Sequence, residues 1–156
     1  MPNWCEGKMK VRGELDDILT FLRDGFEGSY SDSMITIDDK YDDEIEINVI
    51  RTNYIKGTER AFVDDSQTYI YPYRKGSDVQ KPIIVLTLNM RQAWNIHSSE
   101  FLNIAKNYNL DMHLIGFESG AEFKREVYII NGEITEDKTI DYVDWDFECE
   151  GSELGG

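Results

Sequence analysis

The sequence has few basic residues and few cysteines, and it has no long apolar run. Acids outnumber bases by 31 to 16, which gives a formal net charge of −15. The longest apolar stretch, residues 82–86, has the length of a strand, whereas a membrane helix needs roughly 20 residues. The first residues lack the basic start and apolar middle of a signal peptide. We therefore expect a cytoplasmic protein that no membrane anchors.

The two cysteines lie near opposite ends of the sequence. In a reducing compartment they are expected as thiols or metal ligands rather than as a disulfide. Two cysteines are too few for an iron–sulfur cluster held by four thiolates. Together with the two histidines, however, they make a possible set of four zinc ligands. The set is Cys5, His97, His113 and Cys149.

The spacing of these four residues is unlike that of zinc fingers, so each also has a simpler interpretation. Cys5 is of a type that often fills a small place in a core. His97 stands just before a predicted helix, where it caps the helix or faces water. His113 alternates with apolar neighbours and is expected on the polar face of a sheet.

The acidic charge limits the classes of partner. A chain of this charge repels phosphate backbones and anionic membranes at long range, so non-specific nucleic-acid binding is not expected. A basic protein surface is the natural partner, although solubility alone also explains negative charge. No nucleotide-binding loop, dinucleotide fingerprint or nucleophile motif is present. These patterns favour a binding protein over an enzyme.

Hydrophobic spacing predicts one domain over residues 1–156 with two helices and many strands. Apolar residues at helical spacing predict a first helix that begins at Leu15, and Gly25 and Gly28 mark its end. A second helix is predicted to begin at Ser98 or Ser99, either of which suits an N-cap. Strands are predicted at 8–13, 34–37, 45–49, 60–63, 68–73, 83–90, 112–117, 125–130 and 140–147, with a loop at 74–81 and a tight Asn-Gly turn at 131–132. The order fits an α+β, ferredoxin-like split βαβ domain with extra strands on a mainly antiparallel sheet.

Residues 133–156 form an acidic C-terminal strand and tail in this prediction. Residues 133–153 hold nine acids and one base. In a strand, Val143, Trp145 and Phe147 would lie on one face and the carboxylates on the other. Such a row, beside a second acidic strand, imitates part of the charge of nucleic acid, and it equally protects an edge strand from aggregation. The predicted acidic contacts are Asp42, Asp43, Glu44, Glu46, Asp144, Asp146, Glu148 and Glu150.

Other side chains suggest contact surfaces or small-molecule sites. Tyr69, Tyr71 and Tyr73 share one strand face, and tyrosine is enriched at interfaces, although sheet packing gives the same stripe. Three bases are candidates for binding a small anion such as a signalling nucleotide: Arg91, Lys124 and Arg125. Acid clusters that suggest a metal-dependent reaction, but lack the calcium-loop pattern, are 38–39, 42–44 and 64–65.

Two blocks of the sequence resemble a known family. The opening Met-Pro-Asn-Trp-Cys leads into a strand that ends at Gly13, as in the YubB ferredoxin-like domain family of phages, prophages and plasmids. Ala93-Trp94, then Phe117-Glu118-Ser119-Gly120, then Asn131-Gly132-Glu133 resemble the later block of that family. Residues 38–80 and the tail after Glu133 depart from it. The resemblance implies a ferredoxin-like fold without an iron–sulfur cluster and supplies no catalytic residue.

A mobile-element origin, together with size and acidity, points to an anti-defence protein of a host bacterial cell. The leading hypothesis is an anti-CRISPR protein that binds a basic Cas effector nuclease stoichiometrically and blocks nucleic-acid loading. The alternatives are a protein that sequesters a nucleotide signal and a metal-dependent enzyme acting on nucleic acid. No cofactor is expected in the leading hypothesis, apart from the possible zinc ion.

Overall fold

The computed structural model describes residues 1–41, 44–72 and 82–156. Within these residues the chain forms eleven strands and three helices. The strands are β1 (Trp4–Glu14), β2 (Phe26–Gly28), β3 (Met34–Tyr41), β4 (Glu44–Ile50), β5 (Asn53–Ile55), β6 (Ala61–Val63), β7 (Ser66–Ile70), β8 (Ile83–Ala93), β9 (Asp111–Glu118), β10 (Phe123–Ile130) and β11 (Glu133–Asp141). The helices are α1 (Leu15–Asp24), α2 (Ser98–Tyr108) and α3 (Trp145–Glu148).

The strands form two antiparallel sheets. The larger sheet has eight strands in the order β11-β10-β9-β1-β8-β6-β5-β2, and the smaller has the order β3-β4-β7. β1 lies near the middle of the larger sheet, where it pairs with β8 from Trp4 to Glu14 and with β9 from Glu6 to Arg12. The protein is therefore an α+β protein with a mostly antiparallel sheet.

One face of the larger sheet, here called the covered face, packs against α1 and α2. In β1, alternate residues such as Met9 and Val11 point to this face and are fully buried, while their neighbours are exposed. Phe21 of α1 and Phe101 of α2 pack into the same core. Alternate residues of the strands and one face of each helix thus pack together and form one continuous core.

The smaller sheet contributes to the same core. Ile45, Ile47 and Val49 alternate along β4 and are buried there together with Ile70 of β7. No helix in the described part of the chain is both long and apolar enough to cross a membrane.

Both long helices lie where hydrophobic spacing predicted them. α1 begins at Leu15 and ends at Asp24, and Gly25 caps it by donating its N–H to the Phe21 carbonyl. α2 begins at Ser98, but the predicted serine N-cap is wrong, because His97 occupies the cap position and its side chain makes no capping hydrogen bond. The Ser98 hydroxyl donates instead to Asp137 Oδ2 of β11, at 2.7 Å. That contact ties the start of α2 to the edge of the larger sheet.

The Asn-Gly turn between β10 and β11 is confirmed. Asn131 and Gly132 have φ values of 51° and 72°, as a tight hairpin turn with two left-handed residues requires. β11 begins at once after it, at Glu133. The predicted strands at 112–117 and 125–130 are also present, each slightly longer than expected. The predicted loop at 74–81 lies outside the described residues.

Candidate interaction surface

The last 15 residues fold back from the edge of the larger sheet toward its middle. We call residues 142–156 the C-terminal segment. It leaves β11 at the edge and crosses the open face, the face opposite α1 and α2. At its far end, the N–H of Gly156 donates to the carbonyl of Trp4, at 3.1 Å, and the carbonyl of Gly156 accepts from the N–H of Trp4, at 3.2 Å. The segment is thus fixed at both ends.

A small apolar cluster anchors the segment. Trp145 and Cys149 are buried against Phe117, which lies on the open face of β9. The indole Nε1 of Trp145 donates to the carbonyl of Ser152, at 3.0 Å, so the polar end of the ring is satisfied. The cluster is separate from the main core, and Ile115, Tyr142 and Leu154 complete it.

The short helix α3 is stabilised by its own acids. The carboxylate of Asp144 accepts from the N–H of Phe147, at 3.4 Å, as an N-cap does. Glu148 Oε1 in turn accepts from the N–H of Asp144, at 2.7 Å. Two of the four predicted carboxylates in this segment therefore hold the local backbone as well as carrying charge.

The prediction of a final strand at 140–147 is wrong, since β11 ends at Asp141 and α3 begins at Trp145. The alternation of Val143, Trp145 and Phe147 fits a strand, but Trp145 and Cys149 are four residues apart and share one helical face. Burial of that pair against Phe117, with Asp144 as N-cap, favours the helix. The predicted straight row of carboxylates therefore does not form.

The second predicted acidic strand is present, but it belongs to the smaller sheet. Glu44 and Glu46 lie on β4, which pairs with β3 and β7 in the smaller sheet. Glu46 Oε1 accepts hydrogen bonds from Asn48 and Gln67. The prediction of two adjacent acidic strands is therefore wrong, because Asp144, Asp146, Glu148 and Glu150 lie in and around α3, whereas Glu44 and Glu46 lie on β4 of the smaller sheet. Asp42 and Asp43 lie outside the described residues.

Ion pairs to the larger sheet fix the other acids of this region. Glu150 binds Lys124 of β10 and accepts from the hydroxyl of Tyr142, at 3.2 Å. The hydrogen bond from Lys124 lowers the pKa of Glu150. Burial first and the nearby Glu150 second raise the pKa of Tyr142 to about 12, which keeps the phenol protonated. Asp146, in contrast, is exposed and forms no ion pair within the described part of the chain.

Two large apolar side chains of this segment are fully presented to solvent. Val143 is 96% exposed and Phe147 is 87% exposed, although Trp145 between them is buried. Their acidic neighbours Asp144, Asp146 and Glu148 are exposed as well. Two exposed apolar residues with acidic neighbours in sequence, on a segment fixed at both ends, have the composition of an interface anchor. Sequence reasoning named the acids as contacts, but it placed Val143 and Phe147 with Trp145 on one strand face and did not include them among the contacts.

The tyrosine stripe is present in part. Tyr69 and Tyr71 are 40% and 56% exposed, while Ile70 between them is buried. Tyr69 pairs across the smaller sheet with Glu46. Tyr73 lies outside the described residues. Tyr69 therefore belongs to the smaller sheet, and Tyr71 follows the end of β7 at Ile70, earlier than the predicted strand end.

The four predicted zinc ligands lie in separate places. Cys5 is buried in the main core and Cys149 in the small cluster, and both are free thiols. The ring of His113 stacks on Tyr128 with the centroids 3.9 Å apart. Across residues 1–41, 44–72 and 82–156, the grouping of three or more potential ligand atoms within 4.8 Å joins His97 to Glu59 and Glu100. His97 is thus the one predicted ligand with a candidate metal site around it.

The predicted anion-binding bases already have carboxylate partners. Arg91 Nε lies 2.9 Å from Asp64, and its guanidinium also covers the Trp4 ring, 4.4 Å from the centroid. Lys124 binds Glu150, and Arg125 binds Asp137. The hydrogen bond from Arg125 lowers the pKa of Asp137.

The predicted acid clusters also have partners. Asp64 neutralises Arg91, and Asp65 accepts from the N–H of Arg51, at 2.6 Å. The acids at 38–39 lie on β3 of the smaller sheet.

Comparison with family models, curated proteins and solved structures gave no significant match to this chain.

Proposed function

We propose that this protein works by binding a basic protein surface through its C-terminal segment. The observation that carries this proposal is the exposure of Val143 and Phe147 on a segment that is otherwise firmly packed. A side chain held rigidly in water gains more on docking than a mobile one, since less conformational entropy is lost. Aromatic anchors of this kind dominate the binding energy of many interfaces.

The charge around the apolar pair selects the class of partner. Asp141, Asp144, Asp146 and Glu148 are exposed close to Val143 and Phe147 in sequence. A complementary surface therefore has an apolar pocket with lysines or arginines at its rim. Because screening limits such attraction to about 8 Å at physiological salt, the carboxylates act on approach and at contact. They are expected to speed association, whereas Phe147 slows dissociation.

We further propose that the fold is an elaborated ferredoxin-like domain of the YubB type. In its support, β9-β1-β8-β6 are neighbouring antiparallel strands, with α1 after β1 and α2 between β8 and β9. This is the order of a split βαβ domain, extended here by β10 and β11 at one edge. With the resemblance of the opening residues, it supports a phage or prophage origin and an anti-defence role. A CRISPR–Cas effector nuclease is the basic partner we propose.

The test compares two matched double variants in a nuclease assay. Val143→Ser/Phe147→Ser removes the proposed anchor, and Ile83→Ser/Val85→Ser removes another exposed apolar pair, on β8, whose residues are 61% and 55% exposed. Each protein is added at increasing molar ratio to purified Cas effectors, guide RNA and target DNA. We expect the wild type and the β8 variant to inhibit one effector stoichiometrically and the anchor variant to lose at least about tenfold in potency.

Equal inhibition by both variants would overturn the role of the C-terminal segment. If the wild type inhibits none of the effectors, the anti-CRISPR assignment fails. In that case, affinity capture from a host lysate, with the two variants in parallel, tests the binding role alone. A captured protein supports it only if it is lost with the anchor variant and retained with the β8 variant.

A pocket on the open face supports a second candidate function, the sequestration of a nucleotide signal. Its volume is about 190 Å³, and its lining includes Lys10, Arg12, His113 and Tyr128. The stacked His113 and Tyr128 rings offer a flat surface, and Lys10 has no ion-pair partner among the described residues. Arg12 is paired with Asp111, at 2.6 Å, which weakens its attraction for phosphate.

A thermal-shift screen with cyclic mono- and dinucleotides tests this second function. Binding should raise the unfolding midpoint of the wild type but not of Lys10→Gln. No shift at millimolar nucleotide, or an equal shift in the variant, would remove the pocket from consideration. The anchor variant serves as a control, because it leaves this pocket unchanged.

A further inference from the structure

Three potential metal ligands converge where the β5–β6 connection meets the start of α2. They are Glu59, His97 and Glu100, and their ligand atoms all lie within 4.8 Å of one another. His97 Nδ1 and Glu100 Oε1 are 3.5 Å apart. In a tetrahedral zinc site, bonds of about 2.0–2.1 Å place neighbouring ligand atoms roughly 3.3 Å apart. This pair therefore already has nearly the separation that zinc requires.

Hydrogen bonds to the buried Gln92 connect the three residues of this cluster. Gln92, fully buried on β8, donates from Nε2 to Glu100 Oε2, at 2.8 Å, and to the carbonyl of Glu59, at 3.0 Å. Its Oε1 accepts from the N–H of His97, at 2.9 Å. The N–H of Glu59 donates to Glu100 Oε1, at 3.0 Å. The amide of Gln92 thus orients the carboxylate of Glu100 directly and fixes the backbone of Glu59 and His97, as groups behind the ligands do around a metal site.

The charges of this cluster lack a basic partner. Neither Glu59 nor Glu100 forms an ion pair with a lysine or arginine in the described ranges, and the basic side chain beside Glu100 is the imidazole of His97. Two carboxylates this close repel one another unless a cation lies between them. Each oxygen of Glu100 accepts one hydrogen bond, so each retains a lone pair for a metal.

We infer that Glu59, His97 and Glu100 form a binding site for a divalent transition-metal cation, with Zn²⁺ the expected ion. An imidazole nitrogen and two carboxylate oxygens suit zinc, and among the weaker-binding ions they suit manganese and iron(II). Three protein ligands leave a fourth position for water. The cation joins the connection between β5 and β6 to the start of α2, so it stabilises the folded protein.

Zinc titration of metal-free protein tests this site. Chelator-treated, dialysed protein is titrated with Zn²⁺ by calorimetry, and the geometry is read from the visible absorption of a Co²⁺ complex. The ligand variants are Glu59→Gln and His97→Gln, both at positions that are not fully buried. The matched control is His113→Gln, because His113 also lies 3.5 Å from a carboxylate, that of Glu126, but has no second acid in a ligand group.

We expect one Zn²⁺ per chain and an unfolding midpoint that rises with Zn²⁺ concentration. Each ligand variant should bind at least about tenfold more weakly, and the His113 variant should bind as the wild type does. Circular dichroism checks that each variant is folded. The absence of saturable binding would overturn the inference. Binding as tight as that of the wild type in both ligand variants would also overturn it, because the metal would then bind elsewhere on this acidic protein. Loss of binding in the His113 variant would overturn it as well.

Discussion

The two faces of the larger sheet are built from the same strands but have different partners. On the covered face, Met9, Leu88 and Leu114 meet the helices and are almost completely buried. On the open face, the neighbouring residues of the same strands are charged, aromatic or exposed, and ion pairs such as Arg12–Asp111 link adjacent strands. The C-terminal segment packs on this face around Phe117 and reaches the start of β1 at Trp4.

The residues that stabilise the fold therefore lie mainly on the covered face, and the residues proposed to contact a partner lie on the open face. The covered face holds most of the apolar burial, so substitutions there act on stability. The open face can vary in charge and still leave the core intact. The C-terminal segment adds a second, smaller apolar cluster to the open face and uses it to present Val143 and Phe147.

The largest effect is expected from truncating a core residue of β8. Leu88→Ala removes a side chain that is 1% exposed and should cost about 2–5 kcal/mol, because lost burial and the remaining cavity both act. Val85→Ala, on the open face of the same strand, should cost less than about 0.5 kcal/mol. Urea denaturation of both variants measures the contrast. Similar losses would show that the two faces contribute equally to stability.

Truncation of Trp145 should have a smaller and local effect. Trp145→Ala removes most of the small cluster and should destabilise the C-terminal segment by about 2–3 kcal/mol. Amide hydrogen exchange should accelerate in residues 142–156 and remain slow in β1 and β8. Phe147→Ala is the matched control, because its ring is exposed and makes no such cluster. Faster exchange throughout the sheet would contradict the separation of cluster and core.

The buried thiol of Cys5 predicts a loss of stability at alkaline pH. Burial, followed by the charge of Glu118, raises the pKa of Cys5 to about 12. An unfolded thiol ionises near pH 9, so this contribution is fully present below pH 9 and decreases as the pH rises toward 12. The loss between pH 9 and 10 should be about 1 kcal/mol. Cys5→Ala should be less stable overall, but its stability should lack this part of the decline.

The ion pairs of the open face and the sheet edge predict a weaker effect at acid pH. Lys124 lowers the pKa of Glu150, and Arg125 lowers that of Asp137. Their contributions are present above about pH 4.5 and are lost as the pH falls through the lowered values. Because these groups are partly exposed, the change should be small. Lys124→Met should remove the Glu150 part of the decline, and an unchanged acid profile in that variant would argue against the pair.

Much of the fold followed from hydrophobic spacing. α1 and α2 each bury residues three and four positions apart, and the long strands alternate as expected. α3 could not be predicted in this way, because residues 143–149 satisfy both a period of two and a helical spacing. Only the tertiary contact of Trp145 and Cys149 with Phe117 decides between them.

The candidate sites were harder to predict from the sequence than the fold was. The exposure of Phe147 depends on which residue of an ambiguous segment is buried, and pairing of residues far apart in sequence determines that. Glu59 reaches His97 only because β6 pairs with the end of β8. The spacing of His97 and Glu100, three residues apart at the start of a helix, was the one local signal for a metal site.

The most direct test of the central claim is an affinity comparison on an effector that the wild type inhibits. The dissociation constant is measured at physiological salt for the wild type, the anchor variant and the β8 variant. We expect the anchor variant to bind at least about tenfold more weakly, chiefly through faster dissociation, and the β8 variant to bind as the wild type does. Equal constants for all three proteins would contradict docking through Val143 and Phe147.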